Sequence, residues 1–446
     1  MQEKILDALR NVKDPDLNKD IVALGFIKDL KQCDGVVSFS IELTTPACPV
    51  REQMKEQAYR HVMAVPGIKQ VDIKMTSQVR STPSEMKDKL LPRVKNIVPV
   101  ASGKGGVGKS TVSANLAVAL AQLGAKVGLL DADIYGPSIP AIMGASESGG
   151  GTRTPPVHHG VRMTSMGFFV KPGEVQILRG PMLHKTLEFF LGQIEWGELD
   201  YLIVDLPPGT GDVHLSLCQM IPLTGAVVVS TPQDVALRIA EKAVLMFDKL
   251  KTPVLGIVEN MSGYVCSHCG QREDIFGEGG ARRYAMEHGL PFLGDIPLSI
   301  DIRKTSDSGT PIVISDPTSA PARAFVKVAE NMAAQLSIRA AGGAPDKRPV
   351  PQKIELRSRQ ELRVHWNDGK ESALKTFDLR VACPCAACVD ELTGEKRLDP
   401  ATVSKDVWPQ EISPVGRYAL NFKWSDGHSS GIYTFDQLRQ LSGLAA

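Results

Sequence analysis

Residues 103–111 read Gly103-Lys104-Gly105-Gly106-Val107-Gly108-Lys109-Ser110-Thr111, set between the apolar run IVPVAS and the helical pattern VSANLAVALAQLG. Strand, glycine-rich loop and helix in that order make a P-loop. The glycines let backbone N–H groups approach phosphate, Lys109 offsets charge on the β- and γ-phosphates, and the Ser110 hydroxyl can ligate Mg²⁺. Nucleotide binding is therefore expected at Gly103, Gly105, Gly106, Val107, Gly108, Lys109, Ser110 and Thr111, with Lys109 also catalytic. Working outward, the runs KVGLLDAD, YLIVDLPP, GAVVVSTP and TPVLGIVEN are short and apolar on both faces, as buried parallel strands are, and helical patterns separate most of them. Residues 96–337 are thus expected to form an α/β domain with a doubly wound parallel sheet.

Two groups of acids end these runs. Asp131 and Asp133 follow KVGLL, and Asp205 follows YLIV and precedes Leu206-Pro207-Pro208-Gly209-Thr210-Gly211-Asp212. Carboxylates at the carboxyl ends of parallel strands face the crevice where phosphates lie. Asp133 is expected to position the attacking water, and Asp205 to join the magnesium shell beside Ser110. Taken singly, strand-end aspartates also serve as helix caps. No Asn-Lys-x-Asp guanine-reading motif occurs, which favours ATP over GTP and makes Asn260, after TPVLGIVE, a candidate adenine contact.

Two smaller domains flank this one. Residues 1–80 mix helical and strand patterns (EKILDALRNV, GVVSFSIEL, PVREQMKEQAYRHVMAV), which predicts a small α+β domain, and residues 81–95 read as a linker. A second linker is expected over 338–352, around AAGGAPDKRPVPQ. Residues 353–446 read as a small β-rich domain with a hairpin in KIELRSRQELRVHWNDGK, turning at Asn367-Asp368-Gly369. The stretch GASESGGGTRTPP is expected to be a surface loop.

The chain has 446 residues, 43% hydrophobic and 23% charged, with a net charge of +1. That balance gives no compositional support for a broad nucleic-acid footprint, and no apolar run reaches the ~18–20 residues of a membrane span. A cytoplasmic chain without nucleic-acid or membrane partners is expected. Eight cysteines are too few for a disulfide framework, yet five are clustered, which in a reducing compartment points to metal. Cys266-Ser267-His268-Cys269 supplies two thiolates, half of what a tetrahedral ion or a four-iron cluster needs. Two copies across a twofold axis would supply four; a zinc knuckle completed by His268 and a redox dithiol are the alternatives. Cys383, Cys385 and Cys388, with His428 in WSDGHSSGIY, make a closed set of three sulfurs and one imidazole, suited to structural zinc, with iron–sulfur ligation as the rival. Cys48, in Thr44-Thr45-Pro46-Ala47-Cys48-Pro49 at a helix start, is either a reactive thiolate or a buried inert thiol.

The P-loop with its early lysine, Asp131-Ala132-Asp133-Ile134-Tyr135-Gly136-Pro137-Ser138, DLPPGTGD and the C-x-x-C together resemble the Mrp/ApbC iron–sulfur cluster carrier ATPases, relatives of MinD, over about residues 90–337. Residues 1–80, with Asp14-Pro15 and TTPACP, look like a metal–sulfur cluster assembly domain. The tail resembles the N-terminal zinc domain of γ-butyrobetaine hydroxylase through LRVACPCAACVDELTG and WSDGHSSGIY. The resemblance implies a homodimer in which Lys104 reaches the partner's nucleotide and Cys266 and Cys269 of both copies bridge a [4Fe-4S] cluster. It also implies donation by scaffold proteins and delivery to apo iron–sulfur proteins, coupled to slow ATP hydrolysis, with Mg²⁺ and Zn²⁺ as further cofactors. A MinD/ParA-like positioning ATPase and a reductase using the bridged cluster are the alternative readings.

Overall fold

The computed structural model describes residues 1–14, 19–79, 90–145, 152–169, 180–209, 211–221, 223–265, 269, 271–340, 351–366, 369–385, 387–389, 395–415 and 419–444. Backbone contacts divide the chain into two compact units. One holds Met1–Ser216 and Leu223–Gly343; the other holds Ala344–Ala446 with Leu217–Pro222.

The centre of the first unit is a nine-stranded sheet. Its spine is Val94–Ser102, flanked in parallel by Leu199–Asp205 on one side and Ala226–Ser230 on the other. Val127–Asp131 and then Val161–Ser165 continue the first side in parallel. On the second side Val254–Val265 follows, and Phe292–Leu298 pairs parallel with it. Short antiparallel strands, Val157–His158 and Arg272–Glu273, border the sheet. Val127–Asp131 and Ala226–Ser230 are buried at every position, which is why their sequences run apolar without alternation. This is the doubly wound α/β class expected from the strand-and-helix rhythm.

The Lys109–Gln122 helix is buried on all sides from Val112 to Leu120, because it packs against the sheet and against the Ala320–Ala340 helix. Small residues at 114, 117 and 119 permit that close approach. Each large side chain sunk in this core, Phe325 among them, contributes ~2–3 kcal/mol by removal of apolar area from water.

The amino-terminal part forms its own three-stranded sheet. Ile27–Cys33 runs antiparallel to Val36–Leu43, which is parallel to Gln70–Ser77; the Arg51–Met63 helix makes the crossover that a parallel pair requires. Its core gathers Ile5, Leu9, Phe39, Ile41, Met54 and Val62, and Cys48 packs half-buried at the edge. The loop that follows Leu43 reaches the large sheet. The Thr45 hydroxyl lies 3.0 Å from the Tyr201 hydroxyl, and Ala47 belongs to the larger core.

The second unit is β-rich, as expected. Pro351–Ser358, Glu361–Trp366 and Glu371–Lys375 make one antiparallel sheet, and Pro409–Val415, Ala419–Trp424 and Ile432–Thr434 another. The hairpin anticipated in this segment is two hairpins. The first turns between Ser358 and Glu361, and Glu361–Trp366 then pairs with Glu371–Lys375 around Gly369, whose φ is +78°. Asn367 and Asp368 lie outside the described residues, as do most of the GASESGGGTRTPP glycines. Trp366, Phe422, Trp424 and Tyr433 form its core together with Cys383 and Cys388.

Candidate functional site

The P-loop leaves the carboxyl end of Val94–Ser102 and its path is set by close contacts. A β-carbon on Gly103 would collide with the backbone of Ile239 and Ala240 in the Asp234–Lys249 helix. Gly106 and Gly108 both have φ of +80°, a conformation L-side chains rarely take. Gly108 also faces the Asn260 amide, whose nitrogen donates to the Val107 carbonyl at 2.8 Å. Asn260 thus braces the loop and lines the cleft beside it.

Lys109 and Asp205 form a buried ion pair, Nζ to Oδ1 2.8 Å, with the carboxylate fully buried. Ser110 donates to Asp205 Oδ2 at 2.6 Å, and Ser113 to Oδ1 at 2.6 Å. Parallel register sets Asp205 beside Asp131, the two strand ends pairing residue for residue. Asp131 accepts bonds from the backbone of Asp133 (3.1 Å) and Ile139 (3.2 Å) and from the Ser165 hydroxyl (3.0 Å). Burial, with the Asp205 charge adding to it, raises the Asp131 carboxyl to about 8. Burial also raises Asp133, against the pull of Lys109. His214, buried in the following helix, is pushed down to about 4 by burial and by Lys109. The early Lys104 donates to Gln233 Oε1 at 3.3 Å.

Beside Gly108 and Thr111 opens a cleft of about 540 Å³, walled by Asn260, Pro297, Ile302 and Arg303. The sequence reading missed its far wall. Phe292–Leu298 runs parallel to Val254–Val265, so its carboxyl end and the Ile300–Asp307 helix reach the same edge as the P-loop. Gly294 and Pro297 in PFLGDIPLS concealed a strand that ends there. Ser113 and Ser165 were also missed. Ser113 sits one turn after Ser110 on one helix face, a spacing visible in the sequence.

The strand carrying Asn260 does not stop there. Its pairing with Phe292–Leu298 slips between Asn260 and Tyr264, after which Tyr264 and Val265 turn antiparallel to Glu273 and Arg272. Residues 266–271 join these two paired stretches in sequence. Cys269 is exposed, and Cys266 lies outside the described residues.

In the second unit Cys383, Cys385, Cys388 and His428 bring their donor atoms within 4.8 Å of one another. His428 Nε2 stands 3.1 Å from Cys383 Sγ, 3.4 Å from Cys385 and 3.8 Å from Cys388. A β-carbon on Gly431 would come 2.6 Å from Cys383 Sγ, so glycine leaves the sulfur its space. Arg380, itself held by Asp426 at 2.8 Å, points Nη1 at Cys388 Sγ, 3.7 Å away. Burial pushes the Cys383 thiol up to about 12. At Cys385 burial acts upward too, but hydrogen bonds from Ser430 and the neighbouring thiols outweigh it and hold the group at about 7. Burial and Arg380 lower His428.

Comparison with known proteins bears on each part. Residues 93–333 match the family described as NUBPL iron-transfer P-loop NTPase, residues 2–75 an iron–sulfur cluster assembly protein family, and residues 354–439 the γ-butyrobetaine hydroxylase-like N-terminal family. The chain is 46% identical over 347 residues to an iron–sulfur cluster carrier protein of Synechocystis, covering 76% of this chain and 98% of the relative. It is 39% identical to the chloroplastic Fe-S cluster assembly factor HCF101 of Arabidopsis thaliana, covering 99% of this chain and 83% of that one. Among solved structures, a nucleotide-binding protein from Archaeoglobus fulgidus in complex with ADP is 43% identical, with 52% of this chain and 92% of that one aligned and a TM-score of 0.45.

Proposed function

The chain belongs to the NUBPL iron-transfer P-loop NTPase family, and from that premise we propose that it is an ATP-dependent carrier that takes an iron–sulfur cluster from a scaffold protein and delivers it to apo iron–sulfur proteins. The cargo is a [4Fe-4S] cluster held between two copies of the chain by Cys266 and Cys269 of each. The observation that carries this reading is the course of one strand: Val254–Val265 braces the P-loop through Asn260 and then continues into the cysteine hairpin. Phosphate and thiolate sites are thereby built on one element.

ATP binds with its phosphates in the Gly103–Thr111 loop and its base in the cleft walled by Asn260, Pro297 and Ile302. Phosphate oxygens compete with Asp205 for the Lys109 ammonium, which stabilises charge on the transferring group. Ser110 and Asp205, already 2.6 Å apart, would hold Mg²⁺, which supplies charge neutralisation between the phosphates. Asp133 orients the attacking water. Lys104 contributes to the partner's nucleotide site. The loop from Asp205 to Asp212, with Gly209 at φ +93°, absorbs the change when the γ-phosphate leaves. Cys383, Cys385, Cys388 and His428 would hold Zn²⁺. Tetrahedral Zn–S bonds of ~2.3 Å place ligands about 3.8 Å apart, and donors gathered within 4.8 Å suit one ion better than a four-iron cube. Among the described residues no helix is long and apolar enough to cross a membrane; the carrier is proposed to work in the cytoplasm.

Anaerobic reconstitution with iron and sulfide tests this reading, with iron content, spectrum and oligomeric mass read together. A brown dimer with about four irons per pair is expected, and Cys266→Ala/Cys269→Ala protein should stay colourless while binding nucleotide within about two-fold of wild type. A wild-type chain that remains a colourless monomer would refute it.

A further inference from the structure

Glu259 immediately precedes Asn260 and is 1% exposed. Consecutive strand residues face opposite sides of a sheet, so while Asn260 turns to the P-loop, Glu259 turns away from it. Its carboxylate accepts three bonds. Oε1 takes the Ser262 hydroxyl at 2.7 Å and the Gly279 N–H at 2.9 Å, and Oε2 takes the Ala281 N–H at 2.7 Å. Ser262 lies within the same strand, where its pairing slips ahead of the cysteine hairpin. Gly279 and Ala281 lie where the chain comes back, at the amino end of the Gly280–Glu287 helix. One buried carboxylate therefore ties together both ends of the excursion that carries Cys266 and Cys269, and fills the helix cap that Gly279 has no side chain to supply.

On either side of Ser262 the backbone is irregular. Met261 has φ of +59° and Gly263 of +69°, at the point where strand pairing slips. A non-glycine residue in that region persists only when its surroundings hold it there. Here they do so from both sides, Asn260 against Val107 and Ser262 against Glu259.

We propose that Glu259 is a positioning residue for cluster delivery: with Ser262 it fixes the cysteine hairpin to the strand end that senses the P-loop, so that nucleotide binding moves the hairpin as a body. The proposal rests on the carrier reading only for what the hairpin holds; the mechanical link concerns the chain itself. Hydrogen exchange of the full-length chain, with and without an ATP analogue and without any cluster, reads it directly. In wild type, nucleotide should change exchange both in peptides covering 102–111 and in those covering 262–281. In Ser262→Ala and Glu259→Gln, exchange over 262–281 should rise about ten-fold as the charge-assisted bonds are lost, and the nucleotide response there should vanish while that at 102–111 persists. Ser262→Thr, which keeps the hydroxyl, should restore it. Ser262→Ala removes a single bond, so it serves where Glu259→Gln fails to fold. The proposal is overturned if the variants keep the wild-type response at 262–281, or if wild type responds only at 102–111. Normal cluster loading by the Cys266→Ala/Cys269→Ala chain would instead overturn the cargo assignment and leave the exchange result standing.

Discussion

Lys109 and Asp205 are each other's counter-ion in a place closed to water, and that makes the lysine structural as well as chemical. Replacing Lys109 with Ala should cut ATP turnover at least ~100-fold by removing charge stabilisation. It should also strand a buried carboxylate, at a cost of about 3–5 kcal/mol in a denaturant titration. Unchanged turnover would dismiss the assignment. Asp131 makes a prediction of different sign. Its folded-state carboxyl stands near 8 against an ordinary 3.8, so between those values the folded chain keeps a proton that the unfolded chain has released, and stability falls as pH rises. His214, lowered from 6.5 to about 4, loses stability in the other direction, below pH 6.5. Between 6.5 and 8 Asp131 is opposed by Cys385, lowered from 9.0 to about 7, which adds stability as pH rises, so Asp131 is read as a difference: across that window the melting temperature of the ligand-free chain should decline relative to that of Asp131→Asn. A difference that stays constant with pH would contradict the burial argument. Lys109, Ser110, Asp131 and Asp205 were legible because motif and strand end are local patterns. Ser165 was not, because it meets Asp131 only through the pairing of two strands thirty-odd residues apart, whereas Ser113 carried a local signal in its spacing from Ser110.

Elements show the same division between local and long-range information. The strands of the large sheet announced themselves by unbroken apolar runs, since both faces are covered. The turn at Arg359-Gln360 did not, because it carries neither glycine nor proline, and the more conspicuous Asn-Asp-Gly took its place in the reading. The cysteine hairpin was legible as a loop with two thiols, yet nothing local indicated that it is carried on the same strand as Asn260. Close packing of the P-loop on the Asp234–Lys249 helix gives a test at this scale. Gly103→Ala drives a methyl group into the Ile239 backbone, which cannot rotate away as a side chain would. About 1–3 kcal/mol of destabilisation is expected from the overpacking, with weaker nucleotide binding as helix and loop part. Calorimetry of the variant with and without ATP measures both.

Across the molecule, two compact units imply two unfolding events with separate causes. One zinc per chain, present on purification, should support the second unit, and strong chelation should unfold Ala344–Ala446 while ATP binding survives. Three of the four tryptophans, Trp366, Trp408 and Trp424, lie in that unit, so its loss should shift the emission strongly to the red. Iron in place of zinc would reverse the metal assignment. The bond between Thr45 and Tyr201 carries a consequence of another kind, for descent and for truncation. Tyr201 is 1% exposed, and burial raises its hydroxyl to about 12, so it stays protonated and depends on Thr45 for a partner. The amino-terminal piece is accordingly no detachable accessory: trimming it away removes the partner of this hydroxyl and bares the footprint of Ala47. Lineages that lost this piece would have been under pressure to change the tyrosine too. In an alignment of relatives, tyrosine at this position should co-occur with a TTPAC-like loop upstream, and phenylalanine or an aliphatic residue should mark the chains that dispense with it.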